Sequence, residues 1–199
     1  MEREPATDGP GSCTDGLSDA ELLTRSARGD RRAFDQIVTR YGPLALRLAA
    51  RIAPDLASAE DIAQEAMVRV WRRSAEFDAR RARFTTWLYR IVVNLCIDLD
   101  RRPKPVPLPE HLDPADPAPR AEEAAELEER RAALAGAIDD LPAGQRAALT
   151  LVYEEGLSGA EAAQTLGITA KAVERLLARA RAHLRARLLA SAKQAEVPT

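Results

Sequence analysis

The spacing of apolar residues predicts a run of helices from Leu17 onward. Ser18, followed three residues later by Glu21, forms a capping box ahead of Leu22 and Leu23, and Gly29 closes that helix. Asp30 is placed to cap a second helix, in which Ala33, Phe34, Ile37, Val38 and Tyr41 recur at helical spacing. Pro43 predicts a kink or a fresh helix start, and Leu44, Leu48 and Ile52 carry one face on to Pro54. Ser58 is expected to cap the next helix, with Ile62, Ala66, Val70 and Trp71 on its apolar side. Asp61, Gln64, Glu65 and Arg69 then lie on other faces, free for a partner. After a basic loop from Glu76 to Arg83, Phe84, Trp87, Leu88, Ile91, Leu95 and Leu99 keep the helical period. Val92, Val93 and Ile97 make that segment apolar nearly all round, as in a helix central to its domain. A strand is the competing reading of IVVNLCI, but the flanking period and the lack of turn signals favour helix.

The pattern stops between Pro103 and Pro119, where seven prolines in seventeen residues exclude regular helix or sheet and predict a semi-extended linker. Beyond it, Ala124, Leu127, Leu134 and Ile138 predict a helix ending at Asp140. Pro142 is suited to the first position of another, running to Tyr153 and stopped by Gly156. From Leu157 to Val173 the chain reads as a helix-turn-helix. Ser158 and Glu161 make a capping box, Ala162 and Ala163 allow close helix approach, Gly167 suits a positive φ in the turn, and Thr169 caps the second helix. Val173, Leu176, Leu177, Ala180 and Leu184 form its buried stripe, leaving Lys171, Glu174, Arg175, Ala178 and Arg179 toward solvent. The expected fold class is all-α, with two small helical domains joined by a Pro-rich linker. The expected limits are a disordered tail over 1–16, a first domain over 17–102, the linker over 103–120, a helix-turn-helix domain over 121–190 and a tail over 191–199.

Composition sharpens this picture through charge. The net charge of -2 hides segregation: nine arginines face four acids between Arg69 and Arg102, and eight acids face one arginine between Glu110 and Glu129. Six basic residues oppose Glu174 alone between Lys171 and Arg187. Two blocks thus suit phosphate, and an acidic one between them repels it. Cys13 and Cys96 offer neither a disulfide framework nor a metal-ligand spacing, which fits a reducing compartment. No stretch has the length of a membrane span and the N-terminus lacks the apolar core of a signal peptide, so a soluble cytoplasmic protein is expected.

No enzyme-like constellation emerges. Asp61 and Glu65 lie at i, i+4 without a histidine or third carboxylate nearby, and His111 and His183 are isolated. No catalytic residue, metal, cofactor or small-molecule substrate is expected. Trp71, Phe84 and Trp87 read as core rather than as base-stacking platforms, because they lie on apolar stripes. Cys96 reads as a small core residue, with a redox switch as its alternative. In the second helix of the helix-turn-helix, Arg175 is the best base reader, since Arg grips guanine bidentately, and Glu174 suits cytosine N4. Lys171, Arg179 and Arg181 suit phosphates, and Ser158 brings a helix N-terminus that does the same. The plainer alternative is an ordinary helix pair with a solvated charged face.

With those residues in view, the chain resembles the extracytoplasmic-function (ECF) sigma factors over nearly its whole folded length. One match is Ala59 to Ala66 (AEDIAQEA) through Val70-Trp71, then FTTWLYRI from Phe84 to Ile91 and NLCIDL from Asn94 to Leu99, similar to the family's second region. The other is Leu141-Pro142 through Leu151 and the helix-turn-helix to Arg181, similar to its fourth region. The resemblance implies that Asp61, Gln64, Glu65 and Arg69 dock on the clamp coiled coil of RNA polymerase core. It implies that Phe77, Arg80, Arg81, Arg83, Asn94, Asp98 and Arg101 read the melted upstream-of-start element. Ser158, Lys171, Glu174, Arg175, Arg179 and Arg181 would read the more distant promoter element, with the polymerase flap and an anti-sigma factor as further partners. Val173 is followed by Glu174-Arg175-Leu176 where many members carry a Lys-Ser-Arg-like run, so promoter sequence does not transfer from them. The alternative function is a helix-turn-helix regulator that acts without core docking, and co-elution with core separates the two.

Overall fold

The computed structural model describes residues 16–101 and 122–195, with side chains given from Gly16 to Arg101, at Glu128 and from Arg130 to Ala190. The Pro-rich linker and all but the last residue of the N-terminal tail lie outside the described residues. The described residues form eight α-helices and no strand. The first unit contains α1 (Asp19–Ala27), α2 (Arg31–Ile52), α3 (Leu56–Arg73) and α4 (Phe84–Asp100). The second contains α5 (Glu122–Asp139), α6 (Ala143–Leu149), α7 (Gly159–Leu166) and α8 (Ala170–Ala195).

Several helix ends follow from local chemistry. Ser18 and Glu21 close a capping box on α1, and Asp30 caps α2 by accepting from the Ala33 amide. Two other ends differ from expectation. The N-cap of α3 is Asp55, whose carboxylate accepts from the Ser58 amide at 2.7 Å; Ser58 is the third helical residue and gives its hydroxyl to Asp55. An ionised carboxylate already in reach outcompetes a serine hydroxyl for that cap. At Pro43, α2 makes no fresh start and continues to Ile52. The preceding residue is Gly42, which has no Cβ for the proline Cδ to strike, and Ile37, Ala45, Leu48, Ala49 and Ile52 bury the turns on both sides.

In the first unit α2 packs on α1, α3 and α4, and α4 also packs on α3. Leu88, Val92 and Val93 of α4 are fully buried, as expected of a central helix. Aromatic rings close one end, with Tyr41 and Phe84 centroids 4.6 Å apart and Phe34 and Trp71 5.0 Å apart. In the second unit α8 is the axis against which α5, α6 and α7 pack. Its buried positions are Val173, Leu177 and Ala180, while Leu176 and Leu184 are half-buried. The burial on α5 centres on Ala137, and Leu134, expected on the apolar side, is 41% exposed. Helix α8 runs to Ala195, five residues past the expected domain edge, because no glycine or proline interrupts it before Pro198.

The two units touch: α4 packs on α6 and α7, and α2 on α6. Consecutive residues Arg146, Ala147 and Ala148 of α6 are all buried, which requires cover on more than one side of that helix.

Candidate nucleic-acid interface

Three exposed polar faces emerge from the fold, and each rests on a buried stripe of the same helix. On α3, burial of Ile62, Ala63, Ala66, Met67 and Val70 leaves Asp61 and Gln64 exposed and Glu65 and Arg69 partly so. Arg69 donates through Nε to Glu65 at 2.9 Å, so the pair is a local i, i+4 bridge in reach of solvent. Beside Gln64 lies a shallow apolar groove of about 380 Å³ between α2 and α3, lined by Val38, Gly42, Leu46, Ala63 and Met67. This groove was not legible from either helix alone, because one wall comes from α2 and the other from α3.

On α4, Asn94 and Asp98 are exposed one turn apart, with Arg101 just past the helix end on the same side. Arg90, one turn before Asn94, extends this stripe; the sequence reading passed over it. The loop ahead of α4 carries Arg80, Arg81 and Arg83, all exposed. Arg80 is folded back on Asp78 at 3.1 Å, and its guanidinium holds the Asp78 carboxyl below the usual carboxylate range. The Phe77 ring lies 5.8 Å from Phe84 and 5.6 Å from Trp87, half-buried at the aromatic cluster, which anchors the loop. Arg83 points toward the second unit, close enough to Glu161 to lower its carboxyl, although the Ser158 hydrogen bonds are the larger cause.

The helix-turn-helix follows its sequence signals closely. Ser158 and Glu161 form a full capping box on α7, Gly167 ends that helix at φ 67°, and Thr169 accepts from the Ala172 amide at 3.2 Å. Ala162 and Ala163 are buried where the helices approach. On α8, Lys171, Glu174, Arg175, Ala178 and Arg179 are all exposed along one side. Arg181 departs from them: it donates to the Tyr153 hydroxyl at 3.4 Å on another side of α8. The Ser158 hydroxyl and amide are both taken up by Glu161, at 2.7 and 2.8 Å. A carboxylate therefore already occupies that helix N-terminus, which weakens Ser158 as a phosphate contact.

The segment ahead of the helix-turn-helix holds a surprise for a helical pattern. Helix α6 stops at Leu149 and the chain widens into a π-turn over Thr150–Glu154, closed by the Glu155 amide on the Thr150 carbonyl at 2.9 Å. Tyr153 and Glu154 are exposed on this turn, and Glu155 is half-buried and accepts from the Tyr89 hydroxyl. Cys96 is 2% exposed, and burial pushes its thiol up to about 12, which disfavours the reactive thiolate. Among the described residues no group of His, Cys, Asp or Glu could hold a metal ion, and no helix is long and apolar enough to cross a membrane.

Comparison with known proteins places two family regions on the chain. Sigma-70 region 2 matches residues 37–104 and sigma-70 region 4 matches residues 131–184. The ECF RNA polymerase sigma factor SigM of Mycobacterium tuberculosis is 40% identical over 172 residues, covering 86% of this chain and 85% of SigM. The probable RNA polymerase sigma factor RfaY of Xanthomonas campestris is also 40% identical, over 84% of this chain but only 43% of its own length. Among solved structures, CnrH of Cupriavidus metallidurans, in complex with the cytosolic domain of CnrY, aligns with a TM-score of 0.58 at 32% identity, covering 86% of this chain and 97% of that one.

Proposed function

The chain belongs to the sigma-70 family of RNA polymerase sigma factors, in its ECF subfamily, and from that premise we propose how its residues find a promoter. The protein directs sequence-specific promoter recognition and transcription initiation by RNA polymerase. The observation that carries the residue assignment is that each matched region ends in an exposed polar helix face backed by a buried stripe of the same helix. Asp61, Gln64, Glu65 and Arg69 dock on core, with the apolar groove beside Gln64 taking a side chain of the partner. Asn94, Asp98 and Arg101, with Arg80 and Arg81 ahead of them, meet the melted strand upstream of the start. Lys171, Glu174, Arg175 and Arg179 enter the major groove of the distant element. The chain acts in the cytoplasm, where core polymerase and promoter DNA are, as a specificity subunit and not as an enzyme. The relative CnrH is held by the cytosolic domain of CnrY, which makes an anti-sigma factor the expected regulatory partner here.

The two contact types on α8 separate by their salt and sequence dependence. Arg175→Ala costs about 1–3 kcal/mol at one promoter position and relaxes preference there, because a bidentate grip on one base is lost. Arg179→Ala weakens all promoters alike and lowers the salt slope by about one unit, because one fewer counterion is released. The check is competition among promoter variants by holoenzyme at several salt concentrations. Uniform weakening by Arg175→Ala would assign base reading to another residue.

A further inference from the structure

One end of the first unit is lined by arginines that the fold leaves unpaired. Arg28 closes α1, Arg31 and Arg32 open α2 just after it, and Arg72 stands in the last turn of α3; all four are exposed. The ends are held side by side by Phe34 and Trp71, whose rings lie 5.0 Å apart, and by the short turn Ser74–Glu76, which packs on α1. Among the described residues none of the four arginines has an ion pair or a side-chain hydrogen bond. Arg25 and Arg73 beside them are paired, with Asp30 at 2.6 Å and with Glu76 at 2.7 Å. Those two acids are thereby taken up, and Asp35 is exposed one turn along α2.

Folding explains only part of this charge. Arg28 and Arg72 suit the C-terminal ends of α1 and α3, where a helix carries partial negative charge. Arg31 and Arg32 stand at the opposite end of α2, where the helix dipole opposes them, and the first turn of α2 holds no acidic residue to offset them. Its cap, Asp30, is shared with Arg25. The exposed positive charge at α2 therefore works against the helix that carries it. A guanidinium without a carboxylate can grip a phosphate through two parallel hydrogen bonds, whatever base that phosphate bears.

We propose that this end of the first unit is a phosphate track for single-stranded DNA, which holds the displaced strand by its backbone where it leaves the melted element; the placement rests on the sigma-factor reading. The patch leads directly into the loop that meets that strand. Arg72 and Arg73 precede the turn Ser74–Glu76, and exposed Arg80 and Arg81 follow it on the way to α4. Along α2 the two places are also close: Tyr41, packed on Phe84 at the start of α4, is ten residues from Arg31. That is about 15 Å at a rise of about 1.5 Å per residue, the span of a few nucleotides. Arginines spread over three helix ends suit a flexible backbone that bends to follow them. Contacts of this kind carry no sequence information, so they strengthen the hold on an opened promoter without narrowing which promoter is chosen.

The test measures binding of holoenzyme to forked DNA from a promoter mapped by run-off transcription. The displaced strand either ends at the melted element or continues past it by about ten nucleotides, a length that a single-strand groove covers. The extension should tighten binding by native holoenzyme and steepen its salt slope by about two to three units, because each arginine on a single-strand phosphate releases about 0.7 counterion. Changing the bases of the extension should leave that gain unaltered. The variant Arg28→Ala, Arg31→Ala, Arg32→Ala should lose about two units of the added slope, a difference of about sixteenfold between about 50 and 200 mM salt. It should bind the short fork as native holoenzyme does, with unchanged helical content. Arg72→Ala, on a separate helix, should lose about 0.7 unit by itself. Lysine at the three positions should keep most of the gain, a rescue that a structural role would not give. Equal gain in native and alanine chains overturns the track, and a gain that depends on the bases overturns its reading of the backbone. Weaker core retention of the alanine chain, with the gain intact once bound, assigns the patch to an acidic protein surface and overturns it too. Core retention of the native chain is measured first. Failure of the sigma-factor reading shows as a chain that core does not retain, and failure of the track as a retained chain that gains nothing from the extension.

Discussion

Reversing Asp61 and Glu65 together, as Asp61→Lys with Glu65→Lys, abolishes retention by RNA polymerase core and leaves the helical content of the chain unchanged. The two carboxylates stand one turn apart on α3, Asp61 exposed and Glu65 partly so. The residues that hold α3 in place, Ile62, Ala66 and Val70, lie on its opposite side. Losing the Glu65–Arg69 bridge costs the fold only about 0.3–0.5 kcal/mol, typical of an i, i+4 pair at a surface. Close charge pairs across an interface couple by about 1.5–7 kcal/mol, so two reversals weaken docking by about a hundredfold or more. Co-elution with core and circular dichroism on the same sample make the check. Undiminished retention would remove α3 from the docking surface.

Leu88→Ala destabilises the first unit by about 2–5 kcal/mol and lowers the urea midpoint by about 1–2 M, because it opens a cavity in the middle of α4. Leu88 is fully buried in a helix that packs on α2 and α3, leaving little room for collapse. The contrast is Asn94→Ala on the exposed side of the same helix, which changes stability by less than about 0.5 kcal/mol. If Asn94 meets the melted strand, its loss shows as weaker open-complex formation at unchanged stability. Chemical unfolding followed by helical signal, with promoter opening measured in parallel, separates a packing role from a reading role.

These expectations draw on features that the sequence carries unevenly. Capping boxes are local, four residues long and chemically narrow, so Ser18–Glu21 and Ser158–Glu161 were legible at once, as was the positive φ of Gly167. The exposed side of α8 followed from its apolar period alone. Ambiguity entered where two local candidates compete: Asp55 and Ser58 both suit a cap, and only the fold shows the carboxylate in place. Pro43 read as a kink or a fresh start because a single-residue rule weighs the proline alone, whereas the missing Cβ of Gly42 and the buried turns on either side together let α2 continue through it. Phe77 sits among charged residues in sequence but beside Phe84 and Trp87 in space, a contact that the resemblance did not carry. The π-turn is local but breaks the 3.6-residue period without a residue type of its own, and the buried Arg146 and the groove beside Gln64 depend on packing between helices, so none of the three left a periodic trace.

Run-off transcription with purified RNA polymerase core tests the central claim most directly. Core and this chain together, on fragmented genomic DNA, should yield discrete transcripts from a small set of start sites, and core alone should yield none of them. The Asp61→Lys, Glu65→Lys chain should fail to support them. The contradicting result is an absence of specific transcripts from core that is active with another sigma factor, together with tight, sequence-specific duplex binding by the free chain, as a regulator acting without core docking would show.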